Sequence, residues 1–226
     1  MPGAAFFDLD RTLLSRSSSL ALAGTFRRRG LIGRRQQLKA VVAQFLFTRF
    51  GAGQSRVGQT AESAMAILED LPVGVMREIV AEALDPVLKP LVYQDALDLA
   101  AAHTARGERT YIVSAALQEI VGGLAQDLGF DGAVGSRAEV VDGVYTGRLE
   151  RRLFGPAKAD ALKELAVAEQ LDLSSSTAYS DSHTDLAFLE AVGHPVAVNP
   201  DRELRKIAAV RGWPVRRFRA RAFRSP

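Results

Sequence analysis

The sequence predicts an α/β fold: a doubly wound, Rossmann-like parallel sheet carrying an inserted all-helical cap. Three observations predict it. A short apolar run, Ala4–Phe7, ends abruptly in two carboxylates, Asp8 and Asp10. Residues 15–88 read as successive helix-length segments with no strand-like run between them. After Pro90, short apolar runs alternate with helix-length segments, which is the rhythm of βαβ units. The expected division is a core of residues 1–14 and 89–226 with a cap of residues 15–88 between its two parts.

Taken in order, Ala4–Phe7 is apolar at every position, as a strand buried on both faces of a parallel sheet must be. In the cap, Leu20–Phe26, Leu38–Phe50, Glu62–Leu71 and Val75–Leu84 are helical segments, broken by Gly51, Gly53 and Pro72. Gln94–Ala105 reads as a helix ended by Gly107, and Thr110–Val113 as a strand stopping at Ser114. Leu117–Leu128 is a helix closed by Gly129. Ala138–Val141 and Val144–Gly147 flank Asp142-Gly143, the turn pair of a tight hairpin. Lys158–Gln170 is a helix, Ser176–Tyr179 a strand, Asp185–Val192 a helix and His194–Val198 a strand. Asp201–Gly212 is the last helix. Residues 211–226, with six Arg and no acid, read as a loosely docked basic tail.

A length of 226 residues permits one domain of ordinary size with a modest insertion. The absence of cysteine excludes a disulfide framework, a thiolate zinc site and a cysteine nucleophile. With 47% hydrophobic and 7% aromatic residues, the chain is not a disordered one. The formal charge of +3 conceals an uneven distribution: −2 over residues 1–10, +10 over 11–61, −11 over 62–210 and +6 over 211–226. Asp8 and Asp10 interrupt the start where a secretory signal needs an apolar run. The most apolar stretch, Ala40–Phe47, is far shorter than the roughly 20 residues that span a bilayer. The expectation is a cytoplasmic protein.

In an open parallel sheet, ligands bind beyond the carboxyl ends of the strands. Polar residues gather at those ends here: Asp8 and Asp10, then Ser114, then Asp181 and Asp185, with Lys158 opening a helix after Gly155-Pro156. Carboxylates crowded at one edge need cations among them. An oxygen-only set without His or Cys suits Mg²⁺. Together they fit phosphoryl transfer through an aspartyl-phosphate. Asp8 is the candidate nucleophile, Asp10 the general acid and base, and Lys158 the cation offsetting charge on nucleophile and phosphate. Thr12 is expected to pin the loop by its hydroxyl, and Ser114, at a helix N-terminus, to bind phosphate oxygens.

Phe7-Asp8-Leu9-Asp10-Arg11-Thr12-Leu13 resembles the D-x-D-x-T signature of the haloacid dehalogenase superfamily. The superfamily's other motifs follow in order as Val113-Ser114, Lys158 and Ser180-Asp181-Ser182-His183-Thr184-Asp185. The insert after the first motif is similar to the C1 cap of the phosphoserine-phosphatase-like branch, subfamily IB. The resemblance implies a Mg²⁺-dependent phosphatase with the metal held by Asp8, the backbone carbonyl of Asp10, Asp181 and, directly or through a neighbour, Asp185. Two positions depart from the pattern. Thr184 stands where related enzymes carry Asn. Ser17 stands where phosphoserine phosphatases carry the glutamate that holds the substrate's amino group, and no acid occurs from Arg11 to Ala61. Phosphoserine is therefore not the expected substrate. A small phosphorylated metabolite is.

The ten cations of residues 11–61 place positive charge over the expected pocket. Arg11 and Arg16, closest to the nucleophile, are candidate substrate contacts, as are His183 and Thr184 in the metal loop. Two rival readings use the same residues. One is a peripheral binding protein whose basic cap and tail meet an anionic membrane or nucleic acid. No recognised RNA or DNA motif supports the nucleic-acid form. The other is a phosphotransferase that passes the phosphoryl group to an acceptor other than water.

Overall fold

A computed structural model describes residues 1–33, 65, 67–219 and 221–223. Among these, the strands are β1 (Ala4–Phe7), β2 (Arg109–Leu117), β3 (Gly132–Val141), β4 (Val144–Arg151), β5 (Thr177–Ser180), β6 (His194–Val198) and β7 (Val215–Arg216). The helices are α1 (Ser18–Arg28), α2 (Val73–Ala83), α3 (Gln94–Ala105), α4 (Gln118–Leu128), α5 (Pro156–Ala168), α6 (Leu186–Glu190) and α7 (Arg202–Arg211). The sheet order is β4-β3-β2-β1-β5-β6-β7, parallel throughout except for the β3–β4 hairpin. The α/β doubly wound expectation holds.

β1 sits at the centre because it is apolar on both faces. Ala5 and Phe7 join one core with Ile112, Leu124 and Tyr179, while Ala4 and Phe6 join the other with Val113, Leu162 and Phe188. Phe7 stacks on Tyr179 with ring centroids 4.5 Å apart. The chain leaves β1 to one side through β2 and β3, then returns to the other side through β5 and β6. The carboxyl end of β1 is thus the switch point of the sheet, where two flanking strands diverge and leave a crevice.

The described parts of the inserted segment are residues 15–33, which include α1, residue 65 and residues 67–88. α2 lies against α4 so closely that a Cβ at Gly123 would come within 2.9 Å of Val80 Cγ1, which explains the glycine. The expected helix over 62–71 is not helical at its carboxyl end: 67–70 form turns and 70–73 run alongside the hairpin. Asp70 N–H donates to Tyr145 O, Tyr145 N–H to Leu71 O and Val73 N–H to Gly143 O, each at 3.0 Å. Pro72 cannot donate, and backbone groups left over by the broken helix find partners on the core instead. The segment therefore lacks the all-helical character expected of it at this point. The expected helix at Leu38–Phe50, with Arg34, Arg35, Lys39, Arg49 and Arg56, lies outside the described residues.

The tail also departs from expectation. Val215–Arg216 adds β7 to the sheet edge, and Phe218 is buried against Tyr93 with centroids 5.9 Å apart. Asn199 holds the backbone of Phe218 at both ends, accepting from its N–H at 3.1 Å and donating to its carbonyl at 3.2 Å. Ala222 N–H donates to Val92 O at 3.0 Å. A basic composition hid one buried aromatic that ties the segment down. Phe218→Ala is expected to cost about 3 kcal/mol, read as a lower urea midpoint. A loss below about 1 kcal/mol would show that the tail contributes little to the fold.

Among the described residues, no helix is long and apolar enough to cross a membrane.

Candidate active site

The crevice at the end of β1 collects its polar groups from three strands and one helix. Asp8 follows β1 directly and its N–H donates to Tyr179 O at 2.9 Å, so pairing with β5 continues into the loop. The chain then turns tightly, with Leu13 and Leu14 N–H donating to Leu9 O at 3.0 and 2.8 Å. Arg11 takes φ = 67°, a left-handed conformation that costs a residue with a Cβ about 1 kcal/mol or more. Its Nε lies 3.3 Å from Asp181 Oδ2. Asp181 follows β5, and its carbonyl accepts Asp201 N–H at 2.8 Å.

Lys158 comes from the first turn of α5. Gly155 before it has φ 60° and ψ −129°, a conformation open to glycine. The Lys158 side chain is almost fully buried, so its charge must be matched within the protein. Nζ lies 2.6 Å from Asp8 Oδ1 and 2.7 Å from Asp185 Oδ2, and 4.6 Å from the centroid of the Phe188 ring. Ser180 Oγ also donates to Asp185 Oδ2, at 2.7 Å. Asp10 Oδ1 accepts Ser18 N–H at 2.8 Å, so this carboxylate meets an unsatisfied amide at the amino end of α1.

These contacts set the proton affinities. Burial pushes Asp8 up to about 7, the Lys158 charge opposing it and the Asp185 charge adding to it. Burial pushes Asp181 up to about 8, with Asp8 adding and Arg11 opposing. Asp10 is raised by burial, against the hydrogen bonds from Ser18. Burial lowers the proton affinity of Lys158, but Asp185 and Asp8 outweigh it and raise it above its ordinary range. One buried cation thus faces buried acids that are short of positive charge.

Of the residues expected at the site, Asp8, Lys158 and Asp185 are joined by hydrogen bonds, and Arg11 pairs with Asp181. Lys163, the other lysine of α5, is exposed and pairs with Asp160. Thr12 does not pin the loop by its hydroxyl: Oγ1 is buried with no hydrogen-bond partner, and backbone hydrogen bonds hold the turn. Ser114 is not at a helix N-terminus. β2 continues to Leu117 and α4 starts at Gln118, because the run Ala115–Leu117 stays extended. The buried Ser114 Oγ accepts Ala116 N–H at 3.2 Å.

His183 turns to Asp201, which caps α7, and Thr184 to Ser182 within the loop. His183 Nδ1 and N–H both lie 2.9 Å from Asp201 Oδ2, and Thr184 Oγ1 lies 3.0 Å from Ser182 Oγ. Arg16 is exposed. Sequence reasoning missed three supporting residues: Ser180, Phe188 and Asp201. Ser180 and Asp201 carried a signal, as cap-forming residues before helices, but Phe188 reads as an ordinary core position.

Among the described residues, no three His, Asp or Glu side chains stand together as a ready-made cation cage. What stands there is Asp8 and Asp181, two buried carboxylates pushed toward their neutral forms. That donor set fits Mg²⁺, which takes one or two carboxylates and keeps several waters or substrate oxygens.

A family model described as haloacid dehalogenase-like hydrolase matches residues 5–190. A probable phosphatase of Mycobacterium tuberculosis is 46% identical over 215 residues, covering 95% of this chain and 75% of that one. A phosphoserine phosphatase of the same organism is 36% identical over 221 residues, covering 97% and 72%. The crystal structure of a Bordetella pertussis protein of unknown function superposes with a TM-score of 0.83 at 29% identity, covering 96% of this chain and 98% of that one. The chain belongs to the haloacid dehalogenase-like hydrolases and resembles the phosphoserine-phosphatase-like enzymes among them.

Proposed function

We propose that the chain is a Mg²⁺-dependent phosphomonoesterase that works through an aspartyl-phosphate on a small phosphorylated metabolite. The observation that carries this reading is the Lys158 ammonium bridging Asp8 and Asp185 at the carboxyl end of β1. An Asp8 carboxylate oxygen attacks phosphorus and the substrate's ester P–O bond breaks. Asp10, raised toward its protonated form, gives a proton to the departing alkoxide. It then takes a proton from water, which attacks the phosphoryl group and releases inorganic phosphate and the Asp8 carboxylate. Lys158 offsets charge on Asp8 and on the phosphoryl oxygens throughout. Asp8, Asp181 and the backbone carbonyl of Asp10 would hold Mg²⁺, which would supply further neutralisation of that charge. Asp185 commits Oδ2 to Lys158 and Ser180, and its role is to position the lysine.

Relatives with phosphatase names support the reaction class. The absence of acid from Arg11 to Ala61 argues against an ammonium-bearing substrate such as phosphoserine. The test is phosphate release across a panel of phosphorylated metabolites, with Mg²⁺ and with EDTA. Hydrolysis is expected to disappear in EDTA and return with Mg²⁺, with phosphoserine at least about tenfold below the best substrate in kcat/KM. Undiminished turnover in EDTA removes the metal from the mechanism.

A further inference from the structure

Among the described residues, a dense run of positive charge outside the site lies on α7, β7 and the segment after them. Residues 202–223 hold eight Lys or Arg against one acid, Glu203. Elsewhere several exposed arginines are paired: Arg29 with Glu82, Arg106 with Glu108, Arg148 with Glu139 and Arg151 with Glu164. Arg216, Arg217, Arg219 and Arg221 are exposed and enter no ion pair among the described residues. Their backbone is not loose. β7, the two-ended grip of Asn199 on Phe218 and the Ala222–Val92 hydrogen bond hold it in place. Unpaired like charges on a fixed frame repel one another, a standing cost that an anionic partner removes.

Apolar groups accompany these charges. Val210, on the last turn of α7, is 88% exposed, and Val215 is 47% exposed. The half-buried Trp213 lies between them in sequence. Nucleic acid would use aromatic faces for base stacking, but those faces are taken. The Arg211 guanidinium lies 5.0 Å from the Trp213 ring centroid and the Lys89 ammonium 5.7 Å from that of Phe223. Exposed valines have nothing to gain from a phosphodiester backbone, whereas they suit the boundary between headgroups and acyl chains.

We propose that this edge is a peripheral docking surface for an anionic lipid bilayer, with the arginines on lipid phosphates and Val210 and Val215 at the headgroup boundary. The inference stands apart from the phosphatase reading and needs no catalytic residue. The test is co-sedimentation of the full chain with vesicles of phosphatidylcholine alone and of phosphatidylcholine mixed with phosphatidylglycerol. Partitioning onto the mixed vesicles is expected to exceed that onto phosphatidylcholine by about tenfold or more, and to weaken as salt shortens the screening length. The triple variant Arg216→Gln, Arg217→Gln, Arg219→Gln is expected to lose about 100-fold, roughly fivefold per arginine. Val210→Ser is expected to lose a further few-fold. Both variants change exposed side chains and keep parental melting temperature and hydrolysis. Equal partitioning onto the two vesicle types, or a triple variant that binds as the parent does, overturns the proposal. So does tighter binding to a single-stranded or duplex oligonucleotide than to the mixed vesicles at equal ionic strength.

Discussion

Replacing Asp8 with asparagine is expected to lower kcat by about 10⁴-fold or more, the scale of losing a nucleophile whose partners act as a unit with it. The same change is expected to leave the protein at least as stable as the parent at pH 8 in EDTA. The reason is electrostatic. Asp8 is buried beside Asp185 and its proton affinity is raised to about 7, so at pH 8 the folded state carries a charge that its surroundings disfavour. The amide keeps the side chain's size and a carbonyl oxygen for the Lys158 ammonium, and it removes that charge. Activity and stability thus move in opposite directions, which separates a lost nucleophile from a damaged fold. Turnover of an aryl phosphate within tenfold of the parent would sink the aspartyl-phosphate mechanism. A melting temperature well below the parent's would sink the electrostatic account of the site.

The second large effect is a stability that depends on pH and on metal together. Asp8 and Asp181 have folded-state proton affinities raised to about 7 and about 8, against 3.8 for the free side chain. A group whose folded value is raised favours the folded state while it is protonated in both states. That contribution is complete below pH 4 and is lost as pH rises through the folded values. In EDTA the melting temperature is therefore expected to fall between pH 5 and pH 8, by about 10 °C for several kcal/mol in a chain of this size. Lys158 does not oppose the trend, since it stays protonated throughout. Added Mg²⁺ is expected to restore stability at pH 8 and to do little at pH 5, where protons compete for the same oxygens. Thermal unfolding at both pH values, with EDTA and with Mg²⁺, checks this. A Mg²⁺ effect of equal size at both would mean that the ion binds elsewhere.

Much of the fold is legible in the sequence where one local force dominates. Gln94–Ala105 and His194–Val198 match the observed α3 and β6 at both ends, because Gly107 and the Gly193–Pro195 region punctuate strongly apolar segments. Lys158 was identifiable because Gly155 and Pro156 open a helix there, while Lys163 lies a turn farther on. Legibility fails where the deciding partner is distant. Residues 70–73 leave the helical pattern because their backbone groups pair with the β3–β4 hairpin, about 70 to 75 residues away. Phe218 sits among arginines and becomes a core residue only because Tyr93 and Asn199 wait for it. Ser114 reads as a helix cap, yet the chain stays extended for three more residues and pairs irregularly with β3.

The available chemistry is legible in the sequence alone: two aspartates after a central strand, two more after a later one, a lysine at a helix start, and no thiol anywhere in the chain. Spacing along the chain suffices for that, because strand ends and helix starts are local events. How those charges are balanced follows from packing in three dimensions. It brings Lys158 between Asp8 and Asp185, across 150 and 27 residues, pairs the strained Arg11 with Asp181, and gives Asp10 the first amide of α1. Proton affinities follow from burial and from neighbours a few ångströms away, and neither is a property of a residue's position in the chain.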